Sequence, residues 1–346
     1  MPNNKLGNLS PEKAFIANQE SHRFIRFWKK SHRIINWSLV TIFVIGFLLI
    51  VFISIVPVFA IKYKLASSSF EKNMENKIIE DYYASANPRP DLPFGDLKKD
   101  LDNLDIGIRD ELSKLTGGYG VYIKKLDDGK EYEYNSEKSF TAASLSKLFL
   151  TGAYYNAAES DPILMVNDIT LENQDKVEGN GNTYNEPVGS SYKPVDLIER
   201  MLNQSDNTAF AIMTRNLGIN KVNDFISNYG FSQTDFINNT TSPKDVGIFL
   251  EKLYRQEIMG KDYTDKMIGF MQNTSFEDRL PFYLPGVKIA HKIGTWDGAY
   301  SDAGIVYGKS GDYIIVVMTD NADYTEAVNA IRKLSEVVYN YFENKT

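Results

Sequence analysis

The stretch Phe140–Tyr155, FTAASLSKLFLTGAYY, decides how this chain is read. It sets Ser144 and Lys147 three residues apart, ahead of a Leu-, Phe-, Ala- and Tyr-rich run at helical spacing. Positions i and i+3 of a helix share a face, so the hydroxyl and the amine stand side by side. Ser144 falls at the start of the run, where a helix N-terminus favours developing negative charge. A serine there is equally an ordinary N-cap, and a lysine one turn on is equally a solvated helix residue. Ser-x-x-Lys also occurs at Ser10, Ser69 and Ser190, so the spacing alone does not choose. A lysine serves as a base only when burial or a cationic neighbour destabilises its ammonium.

The bulk properties narrow the chemistry. None of the 346 residues is cysteine, which removes disulfides, thiolate nucleophiles and Cys-ligated zinc. Of the three histidines, His22 and His32 lie in the N-terminal tail, so a Ser-His-Asp triad would have to use His291. The net charge of −7 hides an asymmetry: residues 1–36 hold seven Lys/Arg against two Glu, and the remainder 31 against 43. An acidic body of that kind is a poor nucleic-acid binder.

From Ile34 to Ile61 there is no charged residue. At ~1.5 Å per residue that length crosses the ~30 Å hydrocarbon core with some tilt. A cleaved signal peptide would have a shorter apolar run behind a short basic start. Arg23, Arg26, Lys29, Lys30 and Arg33 crowd the N-terminal flank, against Lys62 and Lys64 beyond it. The expectation is a cytoplasmic tail over 1–35, a transmembrane helix over 36–61 and an extracellular remainder. Residues 62–95 read as a stalk ending in the Pro-rich linker ANPRPDLPFG (86–95), and residues 96–346 as one domain.

That domain opens on a helical stripe of Leu97, Leu101, Leu104, Ile108, Leu112 and Leu115. Two strands follow, joined across Asp127-Asp128-Gly129-Lys130, where Asp-Gly marks a hairpin turn. Helices are expected after Ser144 and near 194–203, 207–216 and 243–256, then strands at 286–294, 303–308 and 313–320. A last helix carries Ala327, Ile331, Leu334, Val338 and Phe342 on one face. Strands thus segregate from a helical block, which predicts an α+β fold: an antiparallel sheet flanked by terminal helices, plus a mostly helical subdomain.

Two further motifs lie downstream of Ser144. Ser205-Asp206-Asn207 begins an apolar helix, and Lys292-Ile293-Gly294-Thr295 ends a late strand. Ser-x-x-Lys, Ser-Asp-Asn and Lys-x-Gly in this order resemble the penicillin-recognising serine hydrolases, the class A β-lactamases and penicillin-binding proteins. SDNTA, TTSPKD and DAGIVY are most similar to the class A branch. The resemblance covers about residues 96–346 and implies a β-lactamase/transpeptidase-like fold, with no metal and no cofactor. It implies Ser144 as the acylated nucleophile, Lys147 as its base or proton relay, and Ser205 as proton donor to the leaving amine. It further implies that Asn207 holds the substrate amide and Lys292 its carboxylate. The backbone N–H groups of Ser144 and Thr295 would form the oxyanion hole, with Gly294, Thr295 and Trp296 bordering the substrate.

The chain departs from the family pattern twice. Ile293 stands where a Thr or Ser hydroxyl is usual, and no Glu occurs between Asn207 and Glu251 to supply the deacylating base. Asp235-x-x-x-Asn239 loosely echoes that missing element, though a loop aspartate in a turn is the plainer reading. His291 reads as a strand or cleft-edge residue, and Gly179-Asn180-Gly181 as a turn beside the site. The implied ligands are β-lactams or D-Ala-D-Ala-type cell-wall peptides. A β-lactamase with a rearranged base, and a catalytically silent cell-wall binding domain, remain the alternatives.

Overall fold

A computed structural model describes residues 104–113 and 115–343. The tail, membrane segment, stalk and linker expected over 1–95 lie outside the described residues. Among those described, no helix is long and apolar enough to cross a membrane.

Helix α1 (104–112) buries Leu104, Ile108 and Leu112, the stripe expected from their spacing. Strands β1 (Gly118–Lys125) and β2 (Glu131–Tyr134) form the expected antiparallel hairpin, closed where Lys125 N–H donates to Lys130 O at 2.8 Å. Four two-residue strands follow, β3 (Phe140–Thr141), β4 (Ile169–Thr170), β5 (Ser191–Tyr192) and β6 (Thr240–Thr241), and three long strands return late in the chain: β7 (Lys288–Trp296), β8 (Ala299–Tyr307) and β9 (Tyr313–Asp320). β7 runs two residues further than expected and β8 starts four residues earlier. The cause is Asp297-Gly298, a two-residue hairpin turn that pairs Trp296 with Ala299.

The five strands form one antiparallel sheet in the order β2-β1-β9-β8-β7. Both faces are covered, so β9 is apolar along nearly its whole length and its alternate residues enter different cores. Ile315 and Val317 pack with α1 and the terminal helix α8 (Tyr324–Glu343), whose Ala327, Ile331, Leu334 and Val338 are buried. Ile314, Val316 and Met318 pack instead against the helical block. Each such fully buried aliphatic side chain contributes about 1.5–3 kcal/mol.

The block is built around α2 (Ser146–Ser160), whose Leu148, Phe149, Leu150 and Tyr154 are buried. Around it lie α3 (Pro194–Asn203), α4 (Asn207–Leu217), α5 (Ile219–Asn228), α6 (Pro243–Tyr254) and α7 (Lys261–Gln272). α5 and α7 were not expected from the sequence. α5 follows α4 after only Gly218 and is rich in Asn, a weak helix former, but buries Val222, Phe225 and Ile226. Tertiary burial overrides propensity there.

Candidate active site

Ser144 occupies a 3₁₀ turn, Ala143–Leu145, that leads straight into α2. The turn lies against β7. A Cβ placed on Gly294 would stand 2.9 Å from Ala142 O and 3.4 Å from Ala143 Cβ. The glycine of Lys-x-Gly therefore brings the strand up to the serine-bearing turn. It serves as that spacer and is not among the residues lining the cleft.

The three motifs converge. Lys147 Nζ donates to Ser144 Oγ at 2.8 Å and to Asn207 Oδ1 at 2.9 Å. Ser205 Oγ donates to Ser144 Oγ at 2.8 Å and accepts from Lys292 Nζ at 3.0 Å. Lys292 also donates to Ile293 O at 3.1 Å. Ser205 and Lys292 are completely buried and lie beneath the cleft; Ser144, Lys147, Asn207, Thr295 and Trp296 line it. Trp296 is 67% exposed at the rim, so packing does not account for it. Ile293 is buried and leaves that position of the motif without a hydroxyl.

Two buried lysines beside one another change their own chemistry. Burial lowers the Lys147 pKa to about 8, against a smaller opposing pull from the Asp206 carboxylate. Burial also drives Lys292 well below the ordinary lysine range, and the neighbouring Lys147 charge adds to that. Lys147 at about 8 meets the condition for a base near neutral pH.

Asp206 is what seats the Ser-Asp-Asn segment. Its carboxylate caps α4 through Ala209 N–H at 2.8 Å and accepts Thr183 N–H at 3.0 Å. Ser205 itself, one residue ahead of the cap, takes φ +57°, and Ala143, one residue before Ser144, takes φ +47°. Left-handed backbone at non-glycine residues costs on the order of 1 kcal/mol each and is held here by the surrounding packing. The Gly179-Asn180-Gly181 turn clamps the same segment, as expected. Asn180 O accepts Asn207 N–H at 3.1 Å, and a Cβ on Gly181 would fall 2.2 Å from Asp206 Oδ2.

His291 and Asp235 take the plainer of the positions that the sequence left open. His291 is buried on β7 rather than at the cleft edge, with Nδ1 2.9 Å from Asp302 Oδ1. Burial acts to raise Asp302, but His291 and Arg279 beside it hold the carboxyl below its usual range. Asp235 is exposed and bonded within its own loop. It accepts Ile237 and Asn238 N–H, each at 2.9 Å, and Asn238 Nδ2 at 2.7 Å, which is the loop-aspartate arrangement. These bonds, those from Asn238 foremost, lower its pKa. Glu251 lies on α6, bound to Lys124 and Arg255.

Arg279 was missed entirely. It is 2% exposed and donates to Gly294 O at 2.7 Å, Ser301 O at 2.6 Å and Thr295 Oγ1 at 2.6 Å, holding the end of β7 from behind. Its local sequence, SFEDRLPF, carries no motif. Only three-dimensional proximity shows its part.

The arrangement can move a proton from Ser144 Oγ to a neutral Lys147 and return one through Ser205. Residues 97–342 match the model of the β-lactamase enzyme family. The solved structure of PBP-A is 26% identical, with a TM-score of 0.66 over 70% of this chain and 96% of that one. A point variant of PBP-A, equally similar over 70% of this chain and 97% of its own, is described as an acyl-enzyme complex with penicillin G. A β-lactamase from Sphaerobacter thermophilus shares the fold at 21% identity and a TM-score of 0.65, over 70% of this chain and 96% of its own. With three motifs meeting at one serine and most of the chain matched, this protein belongs to the β-lactamase enzyme family of serine hydrolases.

Proposed function

We propose that Ser144 is acylated by β-lactams and by D-Ala-D-Ala-type cell-wall peptides, and that the ester on Ser144 is long-lived when the acyl donor is a β-lactam. The observation that carries this reading is the placement of Ser144 Oγ 2.8 Å from both Lys147 Nζ and Ser205 Oγ. Neutral Lys147 takes the Ser144 proton as Oγ attacks the carbonyl. The amide C–N bond then breaks, and Ser205 passes a proton to the departing nitrogen and takes in its place the one that Lys147, 3.4 Å away, accepted from Ser144. Thr295 on β7, with the Ser144 turn packed beside it, supplies the oxyanion side, each donor being worth about 3 kcal/mol of barrier.

Slow release follows from what borders the cleft. Among the described residues, Asp175 is the one carboxylate in its lining, and that is bound to Arg215 at 2.7 Å. Asp206 is committed to backbone N–H groups and Asp235 to its own turn. Among these residues no free carboxylate is placed to activate water. The penicillin acyl-enzyme of the PBP-A variant supports the ligand class. The uncharged span Ile34–Ile61 and its basic flank support a membrane-anchored domain on the extracytoplasmic side.

The test is to incubate the protein with a fluorescent penicillin and follow the intact adduct mass, with Ser144→Ala as control. A persistent, Ser144-dependent adduct is expected. Rapid turnover would favour the β-lactamase reading, and absence of any adduct would remove the proposal for β-lactams.

A further inference from the structure

The two ends of the Asn207 carboxamide meet different partners. Oδ1 accepts from Lys147 Nζ at 2.9 Å, while Nδ2 donates to Glu178 O at 3.1 Å. A carboxamide can turn end for end, and only one of the two orientations offers its oxygen to the lysine. The Glu178 carbonyl selects that orientation, because the turned amide would set one acceptor against another. Whatever holds Glu178 in place therefore bears on Lys147.

Glu178 lies in a stretch, 176–182, that contains neither helix nor strand. One row of bonds joins it to the first turn of α4. Val177 N–H donates to Thr208 Oγ1 at 3.1 Å, Thr208 Oγ1 donates to Val177 O at 3.0 Å, and Asn180 O accepts the Asn207 N–H at 3.1 Å. A second anchor comes from two turns further along the same helix. Arg215 Nε and Nη2 donate to Asp175 Oδ1 and Oδ2 at 2.7 Å and 2.9 Å, a two-pronged, charge-assisted contact. Nη2 also donates to Thr170 O at 2.8 Å, and Nη1 lies 2.9 Å from Glu172 Oε1. Asp175 is 2% exposed, and its Oδ2 further accepts the Glu172 N–H at 2.8 Å. On the other side, Lys176 Nζ donates to Tyr184 O at 2.7 Å and Glu186 O at 2.6 Å, which closes the stretch into a loop.

The chemistry at Ser144 makes no use of the Arg215–Asp175 pair itself. Resting on the proposed acylation of Ser144, we infer that Arg215 is a positioning residue: through Asp175 it straps residues 175–180 to α4, so that Glu178 O keeps the Asn207 oxygen turned to Lys147. Arg215 and Asn207 are eight residues apart on one helix, about 12 Å at ~1.5 Å per residue. Changes at two sites so far apart add unless a shared element couples them, and the strap is that element.

The test is a double-mutant cycle on the full-length protein. Second-order rates of Ser144 adduct formation with a fluorescent penicillin are measured for wild type, Arg215→Gln, Asn207→Ala and the double variant. Arg215→Gln is expected to slow acylation about tenfold, a part of the ~100-fold that a full ångström of misplacement costs. In the Asn207→Ala background the same change should alter the rate by less than about twofold, because no carboxamide remains to be oriented. Equal losses in both backgrounds, or an Arg215→Gln rate within about twofold of wild type, overturn the inference. A second readout is independent of acylation: the side-chain amide NMR signals of isotope-labelled asparagine, with Asn207 identified by its absence from Asn207→Ala. Its Nδ2 protons should exchange slowly with solvent in wild type and at the rate of an exposed asparagine in Arg215→Gln. Should Arg215→Gln fail to fold, Asp175→Asn removes the ion pair with a side chain of the same shape, and the same outcomes apply. Absence of any adduct in wild type overturns the acylation reading, whereas Asn207 signals unchanged in the folded variants overturn the strap.

Discussion

Lys147 and Lys292 both reach the same oxygen: their ammonium nitrogens lie 3.4 Å and 3.0 Å from Ser205 Oγ. One hydroxyl thus joins two buried amines, and Ser144 completes the chain at 2.8 Å from both Lys147 Nζ and Ser205 Oγ. Under the proposed acylation of Ser144, proton position along that chain would set the rate.

Acylation should rise with pH. Only neutral Lys147 can accept the Ser144 proton, so the rate climbs through a midpoint near its pKa of about 8 and falls about tenfold per unit well below it. A stopped-flow pH profile with a chromogenic β-lactam checks this. Lys147→Ala should lose the rising limb together with most of the rate, and a flat wild-type profile from pH ~6 to ~9 would exclude Lys147 as the base.

Lys147→Met should stabilise the fold while abolishing acylation. The folded-state pKa of about 8 lies below the ordinary lysine value of 10.5, so burial opposes protonation. The unfolded chain binds the proton more readily, and the resulting destabilisation is full below pH ~8 and fades as pH rises to ~10.5. Removing the amine should add about 1–3 kcal/mol at pH ~7, and less at pH ~10. Denaturant melts at the two pH values separate this from a pH-independent packing gain.

Gly294→Ala should strongly reduce acylation with little change in the secondary structure. The new Cβ would press on Ala142 O at 2.9 Å and move β7 off the Ser144 turn. A displacement near ~1 Å at reacting groups costs on the order of 100-fold. Gly181→Ala should act from the other side, through Asp206, and circular dichroism beside the adduct assay reports both.

Arg279→Met should be the most destabilising of these changes. It withdraws a buried cation from Asp302 and leaves two backbone carbonyls and Thr295 Oγ1 without their donor. The expected loss is about 3–5 kcal/mol, a Tm drop of roughly 10 °C.

Asp235→Asn should leave the lifetime of the β-lactam ester unchanged within about twofold, since Asp235 is bound within its own turn. A several-fold change in deacylation, followed by adduct mass over time, would restore it as a candidate base.

Much of this was legible along the chain. The stripes Leu104-Ile108-Leu112 and Ala327-Ile331-Leu334-Val338 announced two helices, because a helix that covers a sheet must repeat its apolar residues every three or four positions. Asp127 to Lys130 announced a hairpin, and the order of Ser144, Ser205 and Lys292 announced the site. α5 was not announced, because its few apolar residues become a core stripe only against α2.

Sequence by itself determined the family, the order of the long strands and the flanking helices, and which of four equivalent Ser-x-x-Lys matches precedes the other two motifs, because those depend on residue types at fixed separations. Tertiary structure alone decided that Lys147 and Lys292 are desolvated, that Arg279 braces β7 and that His291 pairs with Asp302. The physical reason is range. Periodicity and motif spacing are local properties of the chain, whereas a lowered pKa depends on which distant segments exclude water from the same few ångströms.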